Sequence, residues 1–310
     1  MNRVVAVVVA LLAAVVSTGC GSDESSWGGI RVDFITADSG PDWSPDGSLI
    51  VFSSNREGGG LFVVRPDGTG IRRLTETRGR SPEWSPDGTE IAFEGPGGLR
   101  VMAADGTGER VLVPGRAERG VWPTWSPDGR RIAFVREIAD GSSVVFVVPR
   151  RGGKPRRLLE PALDPNDPQW SILTASEVTP SWSPDGERIA YDSGDGVLVV
   201  ATIATGERES VPSEGGASYE PSWSPDGNRL AFQCSGSLCT VDLRTRQLLT
   251  LLGDAGAPSW SPDGTRVVVE RYLHGAATAT SSPMALYSVA ADESGATPIT
   301  FGPGEVDRDD

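Results

Sequence analysis

Pro41-Asp-Trp-Ser-Pro-Asp-Gly47 is the stretch that decides the fold, because the chain repeats its frame six times. The frame is Pro-x-Trp-Ser-Pro-Asp-Gly, and it begins again at Pro82, Pro123, Pro180, Pro221 and Pro258. Its tryptophans are Trp43, Trp84, Trp125, Trp182, Trp223 and Trp260, spaced by 41, 41, 57, 41 and 37 residues. A period near forty, with strand-like text between copies, predicts propeller blades. Ser-Pro-Asp-Gly is turn chemistry. Serine suits the first position, proline pre-sets the next φ, and glycine takes the left-handed conformation that joins two antiparallel strands. The proline that opens the frame cannot donate to a ladder, so it belongs on an edge strand. The innermost strand of a blade is such an edge. The tryptophans are expected to lie between neighbouring blades.

The text after each turn agrees. Ile50-Val-Phe52, Ile91-Ala-Phe93, Ile132-Ala-Phe134, Ile189-Ala-Tyr191, Leu230-Ala-Phe232 and Val267-Val-Val269 read as second strands. Third strands follow, as in Leu61–Val64 and Val144–Val148, then polar turns such as Asp67-Gly-Thr-Gly70, then fourth strands such as Ile71–Thr75. Four short strands per repeat and six repeats predict an all-β, six-bladed β-propeller of four-stranded antiparallel blades. The repeated Trp-Ser-Pro-Asp-Gly followed by Ile-Ala-Phe resembles the TolB-like β-propeller family, with its WD-like repeats, over about residues 30–302. The resemblance implies a propeller of the bacterial cell envelope that docks an acidic or hydrophobic segment of another envelope protein at one face. It implies the fold far more specifically than the function.

The reading divides the chain into a signal peptide at 1–20, a flexible tether at 21–29, the propeller at 30–302 and an acidic tail at 303–310. Asn2-Arg3 followed by the apolar run Val4–Val16 suits an export signal and is short for a membrane span. Ser17-Thr-Gly19 ahead of Cys20 resembles the lipobox of bacterial lipoproteins. That resemblance implies lipid attachment at Cys20 and a periplasmic or outer-membrane-face location, anchored to the membrane through the lipid. Cleavage after Gly19 without lipidation and an uncleaved anchor are the alternatives. The other two cysteines, Cys234 and Cys239, fall on facing strands of one hairpin and are expected to form a disulfide, since exported proteins sit where disulfides persist.

The formal net charge of −14 argues against a nucleic-acid partner and against electrostatic docking on anionic lipid. The single histidine, His274, cannot build a multi-histidine metal site, and no nucleophile elbow, P-loop or dinucleotide fingerprint occurs. The expected function is therefore non-catalytic: a monomeric propeller that binds an envelope protein or peptide. Two candidate sites follow. The first is the channel, where the residues between proline and tryptophan, Asp42, Glu83, Thr124, Ser181, Ser222 and Ser259, lie opposite the tryptophans by strand alternation. These carboxylates and hydroxyls point to a basic peptide, or to a small molecule, glycan or hard cation such as calcium, for a sensor or metal-dependent enzyme. No other cofactor is implied. The second is the insertion at about 161–178 behind the 57-residue spacing, where Trp170 and Ile172 are candidate partner contacts. The basic run Arg150–Arg157 reads as a hairpin tip.

Overall fold

The computed structural model describes residues 37–115, 121–137, 143–158, 178–193, 196–213, 217–273 and 284–300. All of them fall in one compact unit, Ile35–Asp310.

The six Ser-Pro-Asp-Gly turns are built alike. The glycine N–H donates to the serine carbonyl at 2.8–2.9 Å. The serine hydroxyl donates to the aspartate and accepts the backbone N–H five residues on, as in Ser44 with Asp46 and Leu49 and Ser224 with Asp226 and Arg229. Gly47, Gly88, Gly129, Gly186, Gly227 and Gly264 take φ between 64° and 73°, where a side chain would be strained. The turns also touch around the ring. A methyl on Gly186 would lie 3.4 Å from Pro127 of the preceding turn, and one on Gly47 would lie 3.9 Å from Pro262, the last turn.

These turns join the first two strands of six four-stranded antiparallel sheets, each running in chain order from the axis outward. The inner strands are Asp38–Trp43, Arg80–Trp84, Thr124–Trp125, Ser181–Trp182, Ser218–Trp223 and Ala255–Trp260. The outermost are Arg72–Thr75, Arg110–Pro114, Arg156–Arg157, Arg208–Ser210, Leu248–Gly253 and Ala296–Pro298. The only helical segment among the described residues is the 3-10 turn Arg56–Gly58. The protein is a six-bladed β-propeller. Ala296–Pro298 pairs with Met284–Ala290, so the C-terminal sequence provides the fourth strand of the last blade. Ala37 adds a parallel bridge to Met284.

The core is a set of layers between blades. Trp84 packs with Val51, Leu61 and Val63 of blade one and with Ile91 and Phe93 of its own blade. Trp43 packs with Val268 and Leu286 of blade six, which closes the ring. The middle residue of each second-strand triplet meets the indole of the next blade. Ala92, Ala133, Ala190 and Ala231 pack in the same clusters as Trp125, Trp182, Trp223 and Trp260, and Val51 and Val268 take the same place against Trp84 and Trp43. Each motif tryptophan is at most 8% exposed, so burying one ring contributes up to about 4–6 kcal/mol. Arginine heads cap the outer faces of the rings. Arg188 lies 4.6 Å from the Trp223 centroid and Arg229 4.6 Å from that of Trp260.

Arg150 is not a solvated tip residue. It bonds Asp87 and Glu90 of blade two at 2.6 Å each. Cys234 and Cys239 sit on the facing strands Arg229–Cys234 and Ser237–Asp242 with Cα atoms 5.8 Å apart, as disulfide formation requires. Cys20, Trp170, Ile172 and His274, and the 30–36 stretch, lie outside the described residues.

Candidate binding site in the channel

Bulges within four of the inner strands shape the channel mouth. In blades one, two, five and six the ladder register shifts around the motif proline, between Ser39 and Asp42, Arg80 and Glu83, Tyr219 and Ser222, and Gly256 and Ser259. The residue before the proline takes a positive φ at Gly40, Ser81, Trp122, Glu220 and Ala257. A residue before proline ordinarily stays extended, and left-handed non-glycine residues cost energy that the surrounding structure must hold in place. The bulges turn that position, the proline and the following residue toward the axis.

The result is one cavity of about 630 Å³. All six predicted residues, Asp42, Glu83, Thr124, Ser181, Ser222 and Ser259, line it, together with the six motif prolines. Three further carboxylates line it as well: Glu94, Glu220 and Glu270. Among the described residues Arg80 is the one cationic side chain on this wall. Glu94 and Glu270 stand on second strands, Glu90–Gly95 and Arg266–Tyr272, so the inner-strand motif does not reveal them. The signal was available in the second strand, where Glu94 follows Ala92 by two positions and so shares its face of the sheet. Trp122, half-buried at the same mouth, adds the one aromatic surface on the wall among the described residues.

The carboxylates face the cavity and also fasten the blades. Asp42 accepts the Trp84 N–H at 2.8 Å and the Ser259 hydroxyl at 2.8 Å, and so joins blade one to blades two and six. Glu83 accepts the Trp125 N–H at 3.0 Å and the Thr124 hydroxyl at 3.2 Å. Glu94 accepts the Val121 N–H at 3.0 Å, Glu220 the Ala257 N–H at 2.7 Å, and Glu270 the Gly40 N–H at 3.1 Å. Between blades four and five, Thr179 accepts the Glu220 N–H at 2.9 Å and donates to Asp192 at 2.7 Å.

Crowding these acids has an electrostatic consequence. Burial pushes Asp42 up to about 6. Burial, and then the charge of Asp42, raises Glu83 well above the usual carboxylate range. Burial and the neighbouring Glu220 push Glu270 up to about 7. The wall therefore favours a visitor that brings positive charge, since a cation would offset the burial, and for Glu83 and Glu270 the like charge beside them, that disfavour the ionised carboxylates. Among the described residues no three His, Cys, Asp or Glu side chains come together as a metal-binding group.

The TolB beta propeller domain matches residues 32–174 and 172–305, which together span most of the chain. The chain belongs to the TolB beta propeller domain family. Solved structures agree on the fold. TolB from Acinetobacter baumannii superposes with a TM-score of 0.61 at 18% identity, covering 84% of this chain and 61% of that one. The chain thus spans less than two thirds of that TolB's length. A putative TolB from Agrobacterium tumefaciens gives 0.58 at 22% identity over 75% of this chain and 86% of the other. An oligogalacturonate lyase from Vibrio parahaemolyticus gives 0.56 at 14% identity, with 83% and 91% covered. No curated protein matches the chain.

Proposed function

We propose that this TolB-family propeller is an exported, non-catalytic binding module whose channel mouth receives a positively charged segment of another envelope protein. The observation that carries this reading is the wall of the cavity, which sets five carboxylates against the single guanidinium of Arg80. That balance favours a basic segment over the acidic one that the family resemblance implies. The proline rings and Trp122 offer apolar surface to the stems of lysine or arginine side chains while the acids meet their heads. The apolar run Val4–Val16 and Cys20 support export and lipid attachment, which would hold the module at a membrane face.

Fluorescent peptides of equal length, rich in arginine and lysine or rich in glutamate, test the reading against the full chain. The basic peptide is expected to bind, to weaken as salt rises, and to weaken on the channel variant Glu94→Gln with Glu220→Gln. Equal or tighter binding of the acidic peptide would sink it. Location is tested separately by fractionating Cys20→Ser, which should leave the membrane once its signal is cut.

A second reading, a metal-dependent or glycan-binding channel, draws on the likeness to the oligogalacturonate lyases, one of them solved in complex with manganese. It has less support, since the wall's carboxylates are spread around the ring and already accept backbone donors.

A further inference from the structure

Arg80 stands two residues before its motif proline, where the other five blades place Ser39, Val121, Val178, Tyr219 and Gly256, none of them charged. It is exposed and lines the cavity. Its cross-strand neighbour is Glu94, yet no ion pair joins the two. Glu94 is 6% exposed, and its carboxylate instead accepts the Val121 N–H of blade three at 3.0 Å. Among the described residues Arg80 makes no side-chain hydrogen bond and no ion pair. Ser81 beside it, held at φ 47°, lines the same cavity, and its hydroxyl bonds no described residue either. A planar fork of N–H donors with a hydroxyl next to it, both open to a cavity, suits a carboxylate.

The ring sets these donors against the acids. Six blades follow one another around a closed circle, so blade two stands opposite blade five. Arg80 therefore looks across the channel toward Glu220 of blade five, with Glu270 of blade six close enough to Glu220 to feel its charge. An occupant that satisfies both walls carries a carboxylate at one end and cations a short way along. A basic stretch in the middle of a chain lacks that carboxylate. A chain that ends in the basic stretch has it, fixed to the main chain with no flexible stem to order. Room argues the same way. A looped segment brings two strands into the mouth and an end brings one, and the cavity of about 630 Å³ is the size of a small-ligand pocket.

We propose that the channel takes the C-terminal end of its basic partner, with the terminal carboxylate on Arg80 and Ser81 and the basic side chains directed at Glu220 and Glu270 on the far wall. This rests on the reading of the channel as a site for a basic segment and adds which part of that segment enters. Capture of a chain end by its terminal charge is a recurring mode of peptide recognition.

The test uses the full chain and short peptides of alternating lysine and alanine, labelled at the N-terminus. One form ends in a free carboxylate, one in an amide, and one in an amide with a single internal glutamate. The free acid should bind about tenfold or more tighter than the amide, the difference that a charge-assisted bond makes. Arg80→Gln should erase that difference by weakening the acid alone. The amide should bind the variant as well as before or better, because a positive charge has left the wall. Arg80 is exposed and unpaired, so its replacement leaves the fold intact. Equal binding of acid and amide overturns the proposal, and leaves the basic-segment reading standing as long as both still bind. An acid preference that survives Arg80→Gln overturns the assignment to blade two. Internal glutamate matching the free acid, and losing its advantage on Arg80→Gln, would show that a side chain supplies the carboxylate and would overturn the choice of a chain end. Binding of none of the three would remove the basic-segment reading and this inference together.

Discussion

Arg150 bonds Glu90 across the boundary of blades two and three at 2.6 Å, and its guanidinium lies 5.3 Å from the centre of the Trp125 ring. At three other blade boundaries the cap over a tryptophan comes from the residue two places after the turn glycine of the preceding blade: Arg131 over Trp182, Arg188 over Trp223, Arg229 over Trp260. Blade two has Glu90 at that place, and Arg150 reaches back from blade three to fill it.

Replacing Arg150 with alanine is therefore expected to cost about 1–2 kcal/mol, from a half-screened ion pair and a lost ring contact. Adding Glu90→Arg to Arg150→Ala should recover part of that loss, because it restores the arrangement of the other blades. Urea unfolding of the three variants reads this directly. A double variant weaker than Arg150→Ala alone would contradict the account.

Asp42 should tolerate an amide and resist truncation. Asp42→Ala leaves the Trp84 N–H and the Ser259 hydroxyl without their acceptor, at a cost of about 2–4 kcal/mol. Asp42→Asn keeps one carbonyl oxygen and is expected to cost under about 1 kcal/mol. Thermal unfolding of the pair separates the role of the acceptor from the role of the charge.

Stability should fall as pH rises through neutrality. Glu270 is raised from 4.5 to about 7 in the folded protein, so its contribution is full below 4.5 and is lost as pH climbs through about 7. Asp42 and Asp192, both raised from 3.8 to about 6, act in the same direction. The turn aspartates act oppositely. The Ser224 hydroxyl holds Asp226 down at about 2, so its contribution is present above 3.8 and is lost as pH falls through about 2. Maximum stability is expected near pH 4–5, roughly where the two trends cross. Glu270→Gln should flatten the slope between pH 5 and 8, by on the order of 1–3 kcal/mol. An unchanged slope in denaturant titrations would contradict this.

The blade-five cysteines should resist alkylation until reduced, and the intact mass should rise by two hydrogens on reduction. Replacing both with serine is expected to cost about 2 kcal/mol, the small value that goes with a short closed loop. A protein that alkylates fully without reductant would remove the disulfide.

Much of the fold was legible because Ser-Pro-Asp-Gly is a local device. The turn needs only its own residues, and Ser44, Asp46 and Gly47 do in space what their order suggests. The tryptophan layers were legible for a related reason, since strand alternation separates Trp43 from Asp42. The channel was only half legible. Asp42 and Glu83 lie within the motif, but Glu94 and Glu270 reach the same cavity from the second strand, and Trp122 and Glu220 reach it through a positive φ that reverses the usual backbone before proline. The bulges around the motif prolines depend on ladder register. The shift between Arg80 and Glu83 is set by pairing with Glu90–Gly95, which no short window of sequence displays. Arg150 misled for the same reason, because its partners lie sixty residues or more away.

The acids that face the channel are the same groups that hold neighbouring blades together. Whatever draws Glu83 inward must loosen its hold on the Trp125 amide, and whatever draws Glu270 must slacken the seam where the last blade meets the first. Occupancy at the axis is thereby translated into tension at the joints, and the ring becomes a gauge whose stiffness registers what stands at its centre.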